Sequence, residues 1–420
     1  MAIHYYMSSK MKIKRVIVTV LDGVGAGELP DAAAYGDEGS NTLAHTAEAV
    51  GGLNMPNMAS LGLGNITHVE GVEPSANSNG CYGRMNEASP GKDTITGHWE
   101  IAGVVLERPF PVFPHGFPED LLKKIELSAG IEFIGNYAAS GTVIIGDLGR
   151  EHVLSRKPIV YTSADSVFQI AMHESIFPIE RQYEICAIAR ELLVGEYSIG
   201  RVICRPFEGD GDDPSIARIL AGCGGEAVGG PFRRTERRKD YPVTPPRTVL
   251  NEVSESKGKV HAIGKIYEIF AGSGITSHDH TTNNAAHTLA LKQAIATQTA
   301  EPLFIFANLE DFDMLYGHRN DPQGFAKALE LWDKALEEML ALLREGDLFI
   351  VTADHGNDPV TPSTDHSREY AFLLAYGPGM NNAVNLGTRA TFADIAATIR
   401  EAFGLPSGAS GSSFLAELVS

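Results

Sequence analysis

Six residues of this chain have the types and spacing to hold metal ions: Asp22, Asp313, His318, Asp354, His355 and His366. Asp354 and His355 are adjacent, His366 follows eleven residues later, and Asp313 and His318 stand five apart. A lone histidine is most often packed or solvated, but two such clusters together with Asp22 outweigh that reading. Carboxylate and imidazole donors in one set suit Mn²⁺ or Zn²⁺ better than Ca²⁺. Two such ions about 4 Å apart screen phosphate oxygens and stabilise both the attacking and the leaving oxygen of an in-line displacement. Thr94 supplies a hydroxyl in the loop Gly91-Lys92-Asp93-Thr94-Ile95-Thr96-Gly97. A threonine in such a loop can be purely structural. Near a helix N-terminus, however, its phosphorylated form meets free N–H groups and a favourable dipole, and a metal-bound hydroxyl loses its proton more readily. The chemistry that this set describes is phosphoryl transfer.

Those residues need a scaffold, and the apolar runs supply one. Arg15–Leu21 is a continuous β-branched stretch of the kind buried on both faces of a mainly parallel sheet, and it stops at Asp22. Leu303–Ala307 is a second run, followed by Glu310, Asp311 and Asp313; Leu348–Thr352 is a third, running into Ala353, Asp354 and His355. Ligands of open α/β sheets sit just past the carboxyl ends of strands. From Gly324 to Arg344, Phe325, Ala328, Leu329, Trp332, Leu336, Met339, Leu340 and Leu343 recur at helical spacing and would cover the sheet. Ala371–Tyr376 reads as a further strand that ends at Gly377-Pro378-Gly379, and Thr391–Arg400 as a late helix capped near Thr391.

The texture changes between residues 109 and 244. Short strands expected at Val143–Ile145, Ile159–Thr162 and Val202–Cys204 alternate with helical stretches such as Arg181–Leu193, and Ala221–Pro231 is rich in glycine. None of the six candidate ligands falls there. The reading is a discontinuous metal-binding core, 1–108 and 245–420, interrupted by an inserted α/β cap, 109–244.

At 420 residues the chain is long enough for two domains. Its composition, 43% hydrophobic and 21% charged, is that of a soluble globular protein. No apolar run approaches the roughly 18 residues of a membrane helix, and Met1–Lys14 lacks the pattern of a signal peptide. Cys81, Cys186, Cys204 and Cys223 are scattered without CxxC spacing, as free thiols in a reducing cytoplasm would be. A formal charge of −19 argues against nucleic acid. Arg233, Arg234, Arg237, Arg238 and Lys239 form one basic island, either a solvated run or a phosphate clamp.

With these features in view, the chain resembles the phosphopentomutase family of the alkaline phosphatase superfamily from about residue 14 to residue 418. The likeness lies in Asp22, Gly51–Met58, Leu61–Asn65, Gly91–Gly103, Tyr161–Ser166, Ala353–Pro359 and Thr364–Tyr370. Lys92-Asp93-Thr94 with Thr96-Gly97-His98-Trp99-Glu100 is highly specific, whereas Asp-His-Gly at 354–356 marks only the superfamily.

The resemblance implies an alkaline phosphatase-like α/β core, its largely parallel sheet sandwiched by helices. It also implies a cytoplasmic isomerase that interconverts ribose 1-phosphate and ribose 5-phosphate, and the 2-deoxy sugars, in nucleoside metabolism. Thr94 would carry the phosphoryl group. Asp22, Asp354 and His355 would hold one manganese, and Asp313, His318 and His366 the other. Ser163, Asp165, Arg201 and Ile203 match positions that approach the sugar or its phosphate, and Arg234 and Lys265 match positions expected to bind the distal phosphate. The alternative for Asp165 is the cap of a turn or helix. A sugar bisphosphate would serve as intermediate and activator, and a closing cap would exclude water while it turns.

Three stretches depart from the family pattern. Residues 208–232 are longer and richer in glycine, Gly23 follows Asp22 where serine is commoner, and Ser277–His287 differs after Lys265. His278 and His280 there either bind a metal or belong to a solvated loop. A hydrolase or a phosphoglycerate mutase-like enzyme of the same superfamily, and a non-catalytic binding protein of the same fold, are the competing readings. The oligomeric state stays open.

Overall fold

A computed structural model describes residues 11–163, 166–224 and 228–419. The chain divides into two compact units, Met1–Pro109 with Pro245–Ser420, and Phe110–Thr244.

The first unit is built on a nine-stranded sheet among the described residues. Its order is Ser277–Asp279, Lys259–Ile263, Leu303–Leu309, Arg15–Leu21, Asp347–Thr352, Glu369–Tyr376, Cys81–Met85 and Asn385–Arg389, with Gly25–Glu28 added beside Glu369–Tyr376. From Ser277–Asp279 through Asp347–Thr352 the strands run parallel, and Glu369–Tyr376 turns antiparallel. Every residue of Arg15–Leu21, Leu303–Leu309 and Asp347–Thr352 is buried, which explains why these strands read as unbroken apolar runs. Val20 lies opposite both Asn308 and Thr352, so the three strands finish level. Asp22, Glu310 and Asp354 therefore emerge at one edge of the sheet. The helix Pro322–Leu342, capped by Asp321, buries Phe325, Leu329, Trp332, Leu336 and Met339 at helical spacing.

The second unit has its own six-stranded sheet: Ile134–Ala138, Ile159–Thr162, Val167–His173, Arg201–Glu208 and Arg233–Arg234, with Lys239–Pro242 also paired to Arg201–Glu208. Helices Glu119–Ala129 and Ile179–Leu192 share an apolar cluster with Phe168, Ile170 and Val202. Ile144 and Ile145 of the helix Gly141–Ser155 pack with Tyr161, Ala171 and Phe207 in another. Both units are α/β, as expected, with the parallel pairing concentrated in the middle of the larger sheet.

Two local expectations are corrected. Val143–Ile145 is helical, within Gly141–Ser155; Ser140 caps the helix by accepting from Val143 N at 3.3 Å. Its buried set of Ile144, Ile145, Gly149, His152 and Val153 follows the helical period, which overrides the β preference of three branched residues. The late helix starts at Asp394, three residues past Thr391, whose hydroxyl accepts from Ala393 N at 3.1 Å just ahead of it. The Thr391 hydroxyl donates to Glu100 Oε1 at 2.7 Å, and Phe392 N donates to the same oxygen at 3.0 Å. Among the described residues no helix is long and apolar enough to cross a membrane, and the four cysteines are free.

Candidate metal centre and nucleophile

Register brings the strand-end residues together, and local turns complete the set. Asp313 sits in a π-helical turn, Phe312–Tyr316, and His318 in the 3-10 turn that follows, Gly317–Arg319. His366 reaches the site because Gly356 and Ser367 exchange backbone hydrogen bonds (3.0 and 2.7 Å), folding the loop back beside His355. The His355 and His366 rings are then 4.1 Å apart between centroids, and those of His318 and His366 4.8 Å.

Two groups of ligand atoms result, Asp313 with His318 and His366, and Asp22 with Asp313 and His355. Asp313 belongs to both. Its Oδ2 lies 3.2 Å from His318 Nε2, and its Oδ1 lies 3.3 Å from His366 Nε2. His355 Nε2 faces Asp22 Oδ1 and Asp354 Oδ2, each at 3.3 Å. All six candidate ligands thus converge.

The imidazoles are held for coordination. His355 Nδ1 bonds to the Gly356 carbonyl at 3.1 Å, and His318 Nδ1 to that of Thr364 at 2.7 Å. Each ring therefore turns its Nε2 toward the carboxylates, the arrangement typical of metal-bound histidine. Asp22 Oδ1 and Asp354 Oδ2 are buried without a hydrogen-bond partner among the described residues. Buried carboxylate oxygens met only by imidazole nitrogens at 3.1–3.3 Å are costly unless a cation faces them, so the donors present fit divalent ions.

The charges agree with a cation-binding pocket. Burial would raise the Asp313 carboxyl, but the charge of His366 and hydrogen bonds from His318 and His366 hold it well below the usual range. Burial likewise opposes the charged form of His355, yet Asp354, Asp22 and Asp313 hold it well above an ordinary imidazole. The surrounding carboxylates favour a proton on His355 where no metal is bound, and metal binding must displace it.

Thr94 opens the helix Thr94–Ile101, and Asp93 caps that helix by accepting from Thr96 N at 3.1 Å. Thr94 Oγ1 lies 3.1 Å from His355 Nε2. The loop before it is anchored by buried Arg368, which donates to the carbonyls of Ser89 (2.9 Å) and Gly91 (2.5 Å) and to Glu87 Oε2 (2.6 Å). Lys92 reaches Asp37 at 3.1 Å. Gly97 lets the helix press against the strand end, since a Cβ there would meet the carbonyl oxygen of Asp354.

Several supporting residues escaped the reading of the sequence. Asn308 Nδ2 donates to Asp22 Oδ2 at 3.0 Å and to His98 Nε2 at 3.2 Å. His98 Nδ1 then donates to the Thr94 carbonyl at 2.9 Å and lies 3.1 Å from Asp354 Oδ2. Asn357 Nδ2 donates to Asp313 Oδ1 at 2.7 Å. A signal for His98 existed, because it stands in the Thr96-Gly97-His98-Trp99 motif; Asn308 lay one residue beyond the recognised apolar run.

Of the other candidates, Lys265 lies in the first unit, 3.9 Å from Asp22 Oδ2. Ser163, Arg201, Ile203 and Arg234 lie in the second unit, and Asp165 falls outside the described residues. Arg201 and Ile203 share a face of one strand, with Arg201 Nη1 at 3.6 Å from Asp240. In the basic island, Arg233, Arg237 and Arg238 pair with Glu208, Glu174 and Asp240, and Lys239 packs over Tyr183 and Tyr241. Arg234 is exposed and has no carboxylate within 4.0 Å among the described residues. His278 Nε2 and His280 Nε2 face each other at 2.9 Å on the sheet-edge strand Ser277–Asp279 and the residue after it.

The metalloenzyme superfamily model matches residues 14–407. A phosphopentomutase of Carboxydothermus hydrogenoformans is 52% identical over 407 residues, covering 97% of this chain and 100% of that one. A phosphopentomutase of Acetivibrio thermocellus is 52% identical over 408 residues, with the same coverage, 97% and 100%. A solved Pyrococcus horikoshii protein shares 16% identity at a TM-score of 0.48, covering 96% of this chain and 100% of its own.

Proposed function

The chain belongs to the phosphopentomutase family of the metalloenzyme superfamily, a family of isomerases, and from that premise we propose that it interconverts ribose 1-phosphate and ribose 5-phosphate, and their 2-deoxy counterparts. The observation that carries the reading is the place of Thr94, at the head of a helix with its hydroxyl 3.1 Å from His355 Nε2 in the ligand cluster.

In this mechanism phosphorylated Thr94 gives its phosphoryl group to the free hydroxyl of a sugar monophosphate. The Thr94 O–P bond breaks as the sugar O–P bond forms, leaving a bisphosphate. The bisphosphate turns and returns its other phosphoryl group to Thr94, so the phosphoenzyme is regenerated and a sugar bisphosphate can prime it. Divalent cations, most suitably Mn²⁺, held by Asp22, Asp354 and His355 and by Asp313, His318 and His366, would neutralise the phosphoryl oxygens. The N-terminal end of the helix Thr94–Ile101, where Asp93 already takes the Thr96 N–H, would favour a negative phosphoryl group on Thr94. Lys265 supplies a fixed positive charge at the Asp22 edge. Ser163, Asp165, Arg201 and Ile203 are assigned to the sugar, and Lys265 and Arg234, the latter without a carboxylate within 4.0 Å among the described residues, are each assigned to phosphate. Positioning and charge do most of the work in such transfers.

The test is direct. Manganese-loaded protein incubated with ribose 1-phosphate should yield ribose 5-phosphate with no stoichiometric inorganic phosphate. Release of phosphate in place of the isomer would replace this reading with a hydrolase.

A further inference from the structure

Lys265 stands on a support that its expected role does not account for. It follows Gly264, whose φ of 70° belongs to the left-handed region, and a side chain there would strike the carbonyl oxygen of Asn308. Lys265 Nζ lies 3.1 Å from Glu310 Oε2. The other oxygen, Glu310 Oε1, is 3.5 Å from Nε2 of His287, a fully buried ring. That Nε2 has no hydrogen-bond partner among the described residues, while Nδ1 pairs with Thr281 Oγ1 at 2.5 Å. The helix that carries His287, Asn284–Ala296, is docked on the Glu310 loop by a reciprocal pair. Asn284 N donates to Asp311 Oδ2 at 2.8 Å, and Asp311 N donates to Asn284 Oδ1 at 3.0 Å. The stretch Ser277–His287, which departs from the family pattern, thus ends directly behind Lys265.

We propose that Glu310, backed by His287, is a positioning residue that fixes the Lys265 ammonium beside Asp22, where it meets a phosphate oxygen of the substrate. The identity of that phosphate rests on the mutase reading above. A lysine is a strongly hydrated point charge on a flexible four-carbon stem, and ordering it costs rotamer entropy. A carboxylate engaged on one oxygen by Lys265 and confronted on the other by a buried imidazole has one orientation available. It moves that entropy cost from the binding step to folding.

A double-mutant cycle on the full-length, manganese-loaded protein tests this. Glu310→Gln, Lys265→Met and the double variant are compared in kcat and KM for ribose 1-phosphate, and in calorimetric affinity for inorganic phosphate. Glu310→Gln should lower kcat/KM and phosphate affinity about tenfold, a loss in keeping with a charge displaced by less than an ångström, and it should have no further effect once Lys265 is methionine. An equal loss in both backgrounds would show that Glu310 acts only on the stability of the fold and would overturn the proposal. If Glu310→Gln does not fold, His287→Gln carries the same cycle with the same two outcomes. A wild-type protein that makes no ribose 5-phosphate would defeat the mutase reading alone, because the phosphate-binding cycle still decides the role of Glu310.

Discussion

Asn308 donates to one carboxylate oxygen of Asp22, Oδ2, at 3.0 Å, and the other, Oδ1, is left buried and without a hydrogen bond among the described residues. The amide orients the carboxylate and leaves its second oxygen facing His355 Nε2 at 3.3 Å, as a candidate ligand for a cation. Removing such a support typically weakens metal binding about 10- to 100-fold. Asn308→Ala should therefore lower Mn²⁺ affinity by that factor in a calorimetric titration, and Asp22→Asn should lower it further. Wild-type affinity in Asp22→Asn would remove Asp22 from the ligand set.

Thr94 makes a separate prediction. Wild-type protein treated with a sugar bisphosphate should gain one phosphoryl group in its intact mass, mapping to Thr94. Thr94→Ala should gain none, keep its bound manganese, and turn over at least about 10³-fold more slowly. A phosphoryl group mapping to another residue would move the nucleophile there.

Gly97 tests the scaffold beneath that chemistry. A methyl group at this position meets the Asp354 carbonyl and must push the helix Thr94–Ile101 off the strand end. Gly97→Ala should lower both manganese affinity and turnover although no ligand and no nucleophile is touched. Overpacking of this kind costs about 1–3 kcal/mol of stability, which a denaturant titration would register. Normal metal affinity and rate in the Gly97→Ala variant would mean that the helix can retreat freely.

The second unit carries an acid-sensitive position. His152 is buried, with Nδ1 against the Lys157 carbonyl at 2.6 Å and Nε2 accepting from His173 N at 3.0 Å. Burial, and secondarily the neighbouring His173, lower it from 6.5 to about 4. Between those values the unfolded chain binds a proton that the folded chain refuses. Stability is therefore full above pH 6.5 and is lost as pH falls toward 4, by on the order of 3 kcal/mol. Urea unfolding from pH 7 to pH 4.5 should show this decline, and His152→Gln should flatten it. Parallel pH profiles for the two proteins would assign the acid sensitivity elsewhere.

Arg368 couples stability to the loop before Thr94. Its guanidinium is buried and its charged form is held by Glu87 and Asp31, although burial raises the Glu87 carboxyl itself well above its usual range. Arg368→Met leaves Glu87 and the carbonyls of Ser89 and Gly91 without their donor. Loss of one partner of a buried pair costs about 3–5 kcal/mol, so the variant should melt well below the wild type in a calorimetric scan. An unchanged melting temperature would contradict the loop-anchoring role.

Much of the site was legible because its ligands follow the apolar runs Arg15–Leu21, Leu303–Ala307 and Leu348–Thr352, whose composition allows little except a buried parallel strand. The motif around Thr94 was legible for the same local reason, since Asp93 and Gly97 are neighbours in the chain. Val143–Ile145 misled because three branched residues carry strand propensity, while the period that decides between strand and helix extends over the fifteen residues of Gly141–Ser155. Thr391 does accept from Ala393 N ahead of the helix, but the helix itself begins only at Asp394, and nothing nearby in the sequence announced that Glu100 would hold Thr391 and Phe392 outside it.

Residue types alone determined which chemistry was available: hard and borderline donors in one chain, a hydroxyl in a tight loop, and strands that present donors at their ends. Only the tertiary structure decided the pairing. Level strand ends set Asn308 against Asp22, a two-residue bridge folded His366 onto His355, and Asp313 came to face both ligand groups at once. These contacts join residues far apart in the chain, and their energies depend on burial and on distances of about 3 Å. Those are properties of the packed chain, which no local pattern encodes.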